Sequence, residues 1–286
     1  MVTPFTEDLS VDVPRARELA QRLVAQGNEG LVVTGTTGEA PTLTKDEKKQ
    51  LFKGVREALP KEIYVIAGTG TNDTRATIES SKMAQDCGVD GLLLVAPYYS
   101  KPSQEMMRRH FLEVAEATEL PIMLYNIPGR TGVEILPETL AALAEHPRIA
   151  AVKESLPDVD PVTDLATRLA QTARTMAIYS GDDAHTLSIL CSGGVGVVSV
   201  AGHLVAPQML EMLVAFEEGR IDRARDLHLQ IFPLIKGLFS TTNPVMTKAG
   251  LKLVGFPVGS LRPPLYPASS QEEDRLRPLL HELGLL

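Results

Sequence analysis

The sequence of 286 residues is 44% hydrophobic and 22% charged, an ordinary composition for a globular protein. Its formal net charge of −8 argues against nucleic acid and anionic membranes as general partners. No apolar run approaches the length of a membrane span, and the opening Met1-Val2-Thr3-Pro4 lacks a signal-peptide pattern. We therefore expect a cytoplasmic protein with no membrane partner, whose two cysteines, Cys87 and Cys191, are reduced and packed.

Strand and helix signals alternate along the chain with a short period. Apolar runs predict seven strands: Gly30–Val33, Ile63–Ala67, Gly91–Val95, Pro121–Tyr125, Ile149–Lys153, Met176–Tyr179 and Gly196–Val200. Segments with a 3.6-residue period predict the helices Val13–Gln26, Lys45–Ala58, Asp73–Gln85, Gln104–Thr118, Pro137–Glu145, Asp160–Gln171, Ala184–Cys191 and Pro207–Phe216. Continuous apolar strands alternating with helices indicate a parallel sheet that is covered by helices.

This alternation favours a (β/α)8 barrel of the TIM type over a doubly wound open sheet. An open sheet usually has a glycine-rich phosphate turn after its first strand, and the nearest candidate, Gly193–Gly196, precedes a strand instead. The eighth strand of a barrel would have to be Met1–Phe5. We predict a barrel over residues 1–218 and a small C-terminal helical domain over residues 219–286, with helices at Asp222–Phe239, Pro244–Val254 and Ser270–Leu283.

Lys153 closes the buried run Ile149–Lys153, and Tyr125 closes the run before it in the same way. An ammonium at the mouth of an apolar core loses solvation, which favours the neutral amine. A neutral amine attacks carbonyl carbons, and a nearby phenol can move the protons that imine formation requires. The pair therefore suggests Schiff-base chemistry, although a lysine that extends past the strand end to water would look the same.

In a barrel the functional residues lie on the loops that follow the strands. Thr34–Glu39 offers hydroxyl and N–H groups between glycines, which suits a carboxylate but also suits a simple Gly/Thr turn. Arg130 is placed to bind a carboxylate, or it is a solvated loop charge. Tyr98 and Tyr99 are candidates for ligand contact or for packing. The six histidines are scattered without ligand spacing, so we expect no metal site.

Together these segments resemble the dihydrodipicolinate synthase family. The resemblance runs from Val2 to about Pro264 and is carried by the motifs Gly35-Thr36-Thr37-Gly38-Glu39, Tyr98-Tyr99, Tyr125-Asn126-Ile127-Pro128-Gly129-Arg130-Thr131-Gly132, Val152-Lys153-Glu154-Ser155 and Ser180-Gly181-Asp182-Asp183. Asn243-Pro244 and Leu261-Arg262-Pro263-Pro264 resemble its C-terminal signatures. No single motif is decisive, but the set in this order is specific.

The resemblance implies 4-hydroxy-tetrahydrodipicolinate synthase activity, in which pyruvate and L-aspartate 4-semialdehyde condense in the diaminopimelate and lysine pathway. It implies that pyruvate forms a Schiff base with Lys153 and that Tyr125, Thr36 and Tyr99 relay protons. No cofactor is implied.

The resemblance also implies the binding residues. Pyruvate's carboxylate would dock chiefly on Thr37, with the backbones of Gly181 and Val198 lining the pocket, and Arg130 would hold the carboxylate of the aldehyde substrate. In the family the residue matching Tyr99 reaches in from a neighbouring subunit, so the expected state is a homo-oligomer, usually a tetramer built as a dimer of dimers.

Two alternatives stay open at the level of the sequence: an aldolase that joins pyruvate to a sugar acid through the same lysine, and a non-catalytic relative that binds a keto acid. Thr36 and Arg130 favour the synthase. The chain also departs from the family: its first strand is short or starts upstream, and Leu156-Pro157-Asp158 replaces a frequent Gly-Asp pair. The positions of the family's lysine inhibitor site match Ala40, Lys45, Lys48, Asn72 and Ala76, which predicts weak or absent inhibition by lysine.

Overall fold

The protein is described here from a computed structural model, in which residues 1–172 and 175–286 are described. The described residues contain seven strands: Gly30–Val33 (β1), Tyr64–Gly68 (β2), Gly91–Val95 (β3), Ile122–Asn126 (β4), Ile149–Glu154 (β5), Ala177–Ser180 (β6) and Gly196–Val197 (β7). The α-helices are Val13–Ala25 (α1), Lys45–Ala58 (α2), Thr74–Asp86 (α3), Gln104–Glu116 (α4), Pro128–Thr131 (α5), Pro137–Leu143 (α6), Asp160–Leu169 (α7), Thr186–Cys191 (α8), Ala206–Glu217 (α9), Ile221–Leu238 (α10), Val245–Leu253 (α11) and Ser270–Glu282 (α12).

The chain divides into two compact units. Unit 1 comprises Met1–Ile63 and Ser199–Leu286, and unit 2 comprises Tyr64–Val198. The sequence predicts a different division, after residue 218, which is based on where the strand–helix repeats end. That division stays a prediction.

In unit 2 the strands β2 to β7 pair in parallel and in chain order. Their interiors are apolar without interruption: Leu92 and Leu94 of β3 and Ile122 and Leu124 of β4 are fully buried. Strands buried on both faces are typical of parallel sheets covered by helices. The register places Tyr125 of β4 beside Lys153 of β5, so the two predicted catalytic residues end neighbouring strands.

Unit 1 contains β1 and most of the C-terminal helices. Two of its helices, α2 and α12, begin at capping boxes, which Thr44 and Ser269 form with the glutamate three residues later, Glu47 and Glu272. The apolar faces of α1 and α2 pack together and bury Leu19 and Phe52. Helices α10, α11 and α12 pack on one another.

The predicted strands and helices are present with ends shifted by a few residues, and three expectations were wrong in detail. Met1–Phe5 does not form a strand: Phe5 makes only a bridge with Val11, because the N–H of Phe5 bonds to Val258 O and Pro4 has no N–H to donate. The last strand ends at Val197 instead of Val200. Residues 128–131, expected in a loop, form the short helix α5.

Candidate active site

Lys153 and Tyr125 meet at the carboxyl ends of β5 and β4. Lys153 is 9% exposed and Tyr125 5% exposed, and the Lys153 Nζ lies 4.3 Å from the centroid of the Tyr125 ring. An ammonium over the face of an aromatic ring is attracted by the ring's quadrupole. Within the described part of the chain, the Lys153 side chain has no hydrogen bond and no carboxylate partner. The amine is therefore buried, held beside a phenol and free of a counter-ion.

Gly181, which follows β6, leaves the space through which the Lys153 side chain passes. A Cβ atom at position 181 would lie 2.9 Å from both Cγ and Cε of Lys153 and would collide with Ser155 Oγ. Its N–H donates to Glu154 O at 2.6 Å, so the backbone there is fixed to β5. Glycine at this position is a steric requirement for the placement of the lysine. Val198 is fixed similarly, since its N–H donates to Ser180 O at 2.8 Å.

Tyr99 and Arg130 lie on neighbouring loops of unit 2. Tyr99 is 89% exposed and has a φ of 73°, a left-handed conformation that is uncommon for a bulky residue. Its N–H donates to Thr131 O at 3.3 Å, which joins the Tyr99 loop to helix α5. Arg130 belongs to α5 and is exposed, and no described residue forms an ion pair with it.

Thr36 and Thr37 lie in unit 1, in a 3₁₀ turn over Thr36–Gly38 that directly follows β1. The side-chain amide of Asn243 donates to Thr37 Oγ1 at 2.8 Å, so this hydroxyl is already oriented. The turn is fixed from a second side, because Thr3 Oγ1 donates to Gly38 O at 2.7 Å. Asn243 belongs to a motif that the sequence singled out, but its bond to Thr37 spans 206 residues and could not be inferred from spacing.

Glu39 ends that turn in a left-handed conformation, with a φ of 54°. Its carboxylate is buried and pairs with the Lys248 ammonium at 2.7 Å, and it accepts the N–H of Arg262 at 3.0 Å. Lys248 also donates to Ser260 O at 2.7 Å. Burial holds the pKa of Lys248 below its ordinary value, and the charge of Glu39 opposes that shift. The charges of this cluster are matched to one another, so its role is structural.

A second pair that sequence reasoning missed, Asn126 and Glu154, lies next to Tyr125 and Lys153 on the same two strands. The two residues are neighbours in the register of β4 and β5, and both are buried. The Asn126 amide donates to Glu154 Oε2 at 3.1 Å. Burial is the main cause that raises the pKa of Glu154 to about 8; the bond from Asn126 opposes the rise, and the charge of Glu134 adds to it. Both residues belong to motifs quoted above. The signal that could have identified them is a glutamate that directly follows a buried apolar strand.

The structure thus groups the predicted site residues within each unit. In unit 2 it brings Lys153 together with Tyr125 and Gly181, and it connects Tyr99 to the Arg130 helix through Thr131. In unit 1 it orients Thr37 through Asn243. Among residues 1–172 and 175–286, no group of three or more His, Cys, Asp or Glu could hold a metal ion, and no helix is long and apolar enough to cross a membrane.

Comparison with known proteins adds a family and a fold. Residues 1–283 match the dihydrodipicolinate synthetase family. The 4-hydroxy-tetrahydrodipicolinate synthase of Heliobacterium modesticaldum is 52% identical over 285 residues, which cover 100% of this chain and 94% of that protein.

Solved structures agree. The synthase of Cyanidioschyzon merolae with lysine bound is 41% identical with a TM-score of 0.96, covering 100% of this chain and 97% of that one. A monomeric dihydrodipicolinate synthase variant is 39% identical with a TM-score of 0.97, covering 100% and 95%. The predicted fold class, a (β/α)8 barrel followed by C-terminal helices, is confirmed.

Proposed function

The chain belongs to the dihydrodipicolinate synthase family, and on that premise we propose that Lys153 is the residue that forms the Schiff base with pyruvate. The reaction is the condensation of pyruvate with L-aspartate 4-semialdehyde, which serves diaminopimelate and lysine biosynthesis. One observation carries the assignment. The Lys153 amine is buried at a strand end, 4.3 Å from the Tyr125 ring, with no counter-ion among the described residues.

The chemistry then follows from the amine. Lys153 Nζ adds to the keto carbon of pyruvate, and water leaves to give an imine, which loses a proton from the methyl carbon to become an enamine. The enamine carbon forms the new carbon–carbon bond to the aldehyde carbon of aspartate semialdehyde. The amine of that substrate next attacks the imine carbon and displaces Lys153. The product is the cyclic hydroxy-tetrahydrodipicolinate, and the lysine is free for another turnover.

Each step moves protons, and we assign this relay to Tyr125, Thr36 and Tyr99. The position of Tyr125 beside Lys153 supports its part. The carboxylate of pyruvate docks on Thr37, which Asn243 orients, and the backbones of Gly181 and Val198 line the pyruvate site. Two hydroxyls next to glycines are suited to a carboxylate because they donate hydrogen bonds without bulk.

Tyr99 points to an assembly of subunits. Tyr99 is 89% exposed and has a left-handed backbone, so within one chain its side chain is hardly buried although its backbone conformation is costly. We propose that it completes the relay of a neighbouring subunit in a homotetramer. The monomeric variant among the similar structures makes the oligomeric state a matter for measurement. We also propose a cytoplasmic location, which Cys191 supports because it forms no disulfide with any described residue.

Arg130 holds the carboxylate of aspartate semialdehyde in this proposal, because a guanidinium that no described residue pairs is free to bind a second anion. Replacement Arg130→Ala should lower kcat/KM for aspartate semialdehyde by roughly 10²–10³-fold, the loss of a charge-assisted pair. Borohydride trapping of pyruvate on Lys153 should be unchanged. The matched control is Arg168→Ala, which removes an exposed arginine whose ion-pair partner among the described residues is Asp164. Equal kinetics for Arg130→Ala and Arg168→Ala would contradict the role.

A further inference from the structure

Asn126 makes a set of hydrogen bonds that the mechanism above does not use. Its side-chain amide donates to Ile135 O at 3.0 Å, and its Oδ1 accepts the N–H of Ile135 at 3.0 Å. The same amide nitrogen donates to the carboxyl of Glu154. Asn126 and Ile135 are fully buried and Glu154 is 2% exposed. The Asn126 side chain thus bonds both backbone groups of one residue nine positions further along the chain.

The loop closed in this way is the one that carries Arg130. It starts after Asn126, contains α5 and returns at Ile135. Inside it, Thr131 Oγ1 donates to Val133 O at 2.7 Å, and Thr131 O accepts the N–H of Tyr99. Beyond the loop, the side chain of Gln104 donates to Glu134 O at 2.8 Å. The position of Arg130 therefore depends on the bonds that fix the two ends of this loop.

The two faces of the β4–β5 pair carry different sets of polar residues. Successive side chains of a strand point to opposite faces, so Tyr125 and Lys153 share one face while Asn126 and Glu154 share the other. Glu154 lies beside Asn126 on the neighbouring strand and accepts a hydrogen bond from its side-chain amide. Burial keeps this carboxyl mostly protonated near neutral pH, because its pKa is raised to about 8. A neutral acid on the far face accepts the amide hydrogen bond without placing a negative charge next to Lys153.

We propose that Asn126, held by Glu154, is a positioning residue that fixes the loop Ile127–Glu134 and thereby sets the affinity for aspartate semialdehyde. The inference rests on the proposed function, in which Arg130 binds that substrate. It goes further by assigning a role to two buried residues that touch neither substrate. If the pair is purely structural, replacing either residue lowers only the stability. If it positions the loop, replacement changes KM for aspartate semialdehyde and leaves KM for pyruvate unchanged.

The test compares two substrates in one enzyme. Asn126→Ala should raise KM for aspartate semialdehyde about tenfold to hundredfold, the cost of a misplacement near 1 Å. KM for pyruvate and the rate of borohydride trapping on Lys153 should stay within about twofold, the scatter of independent sites. Asn28→Ala is the matched control, because the Asn28 side chain likewise makes two hydrogen bonds to the backbone, to Leu23 O and Gly202 O, but in unit 1. Its two KM values should equal those of the wild type.

Glu154 provides a second pair of variants in case Asn126→Ala does not fold. Glu154→Gln keeps an oxygen that accepts the Asn126 amide, so its KM for aspartate semialdehyde should stay near the wild-type value. Glu154→Leu removes that oxygen and should raise the same KM. A double variant of Arg130→Ala and Asn126→Ala should be no worse than Arg130→Ala alone, because both act through the same contact.

The outcomes separate the two levels of the argument. If the wild-type protein fails to trap pyruvate on Lys153, the proposed function is wrong. If trapping is normal but Asn126→Ala leaves KM for aspartate semialdehyde unchanged, or raises both KM values equally, the positioning role is wrong. Equal KM values for Glu154→Gln and Glu154→Leu would also overturn it.

Discussion

Two buried lysines, Lys153 in unit 2 and Lys248 in unit 1, share burial and an aromatic neighbour but differ in the polar groups that contact the side-chain amine. Lys153 is 9% exposed and Lys248 3% exposed, and each ammonium lies 4.3 Å from the centroid of an aromatic ring, Tyr125 and Phe5 respectively. Lys248 also forms an ion pair with Glu39 at 2.7 Å. For Lys153, the described residues supply no such carboxylate.

The difference indicates what separates a structural lysine from a reactive one. A buried ammonium with a matched carboxylate contributes to the fold, and removing either partner leaves the other charge unpaired in the interior. A buried lysine without a counter-ion contributes little to the fold and is free to bond with a substrate. Burial and an aromatic neighbour are common to both, so neither property identifies the nucleophile.

The largest expected effect comes from replacing Lys153. Lys153→Met should lower kcat by a factor on the order of 10⁴ or more, as loss of a covalent nucleophile does in other enzymes. The thermal midpoint should stay the same or rise, because a buried polar group without a hydrogen-bond partner among the described residues is replaced by an apolar side chain. Steady-state kinetics and calorimetry measure the two quantities. A large loss of stability would mean that Lys153 is structural, as Lys248 is.

Lys248→Met should have the opposite profile. It leaves the Glu39 carboxylate buried without its partner, so the free energy of unfolding should fall by about 3–5 kcal/mol. Adding Glu39→Gln should restore much of that loss, because it removes the orphaned charge. Denaturant titration of the single and double variants measures this. A single variant as stable as the wild type would show that the pair is not coupled.

Tyr125→Phe keeps the ring above Lys153 and removes only the hydroxyl. We expect kcat to fall roughly 10²–10³-fold, the usual range for a lost proton-transfer group, while the fold is retained. The matched variant is Tyr64→Phe, which changes an exposed tyrosine of unit 2. If Tyr125→Phe turns over at the wild-type rate, the hydroxyl is not part of the proton relay and only the ring matters.

Glu154 adds a pH dependence to the unit that contains Lys153. Its pKa in the folded protein, about 8, is above the ordinary value of 4.5, so the folded state binds the proton more tightly. This contribution to stability is fully present below pH 4.5 and is lost as the pH rises through about 8. Unfolding titrations from pH 5 to 9 should therefore fall more steeply for the wild type than for Glu154→Gln. Parallel curves of stability against pH for the two proteins would contradict the raised pKa of Glu154.

Lysine itself should have the smallest effect. Lys48 on α2 is half-buried, and burial lowers its pKa. Whether charged or neutral, its amine offers no negative charge to the ammonium group of a bound lysine. We expect steady-state turnover to be almost unchanged by lysine, although the similar structure from Cyanidioschyzon merolae has lysine bound. Half-inhibition at sub-millimolar lysine would show that Lys45 and Lys48 do not exclude it.

The sequence predicts the local structure of both regions well. The apolar runs place β3 and β5 within one residue of their observed bounds. A strand that is buried on both faces consists of consecutive apolar residues, and such a run is visible in the sequence. Family motifs then select Lys153 and Tyr125. Helix α5 was missed, because four residues starting with Pro128 show no periodicity.

The pairings that distinguish the two lysines were not predictable. Glu39 and Lys248 are separated by 209 residues, and Lys248 reads as an ordinary member of an amphipathic helix. Asn126 was expected in a loop, whereas it lies in β4, because the ladder continues through its pairing with Glu154. Such long-range partners depend on which strand ends meet, and no local signal encodes them.

The most direct test is to trap pyruvate on the protein with borohydride and to map the modified lysine by peptide mass analysis. Both buried lysines are then examined in one sample. The account predicts modification of the peptide that contains Lys153 and none of the peptide that contains Lys248. An unmodified Lys153, or equal labelling of Lys248, would contradict the claim that the missing counter-ion marks the nucleophile.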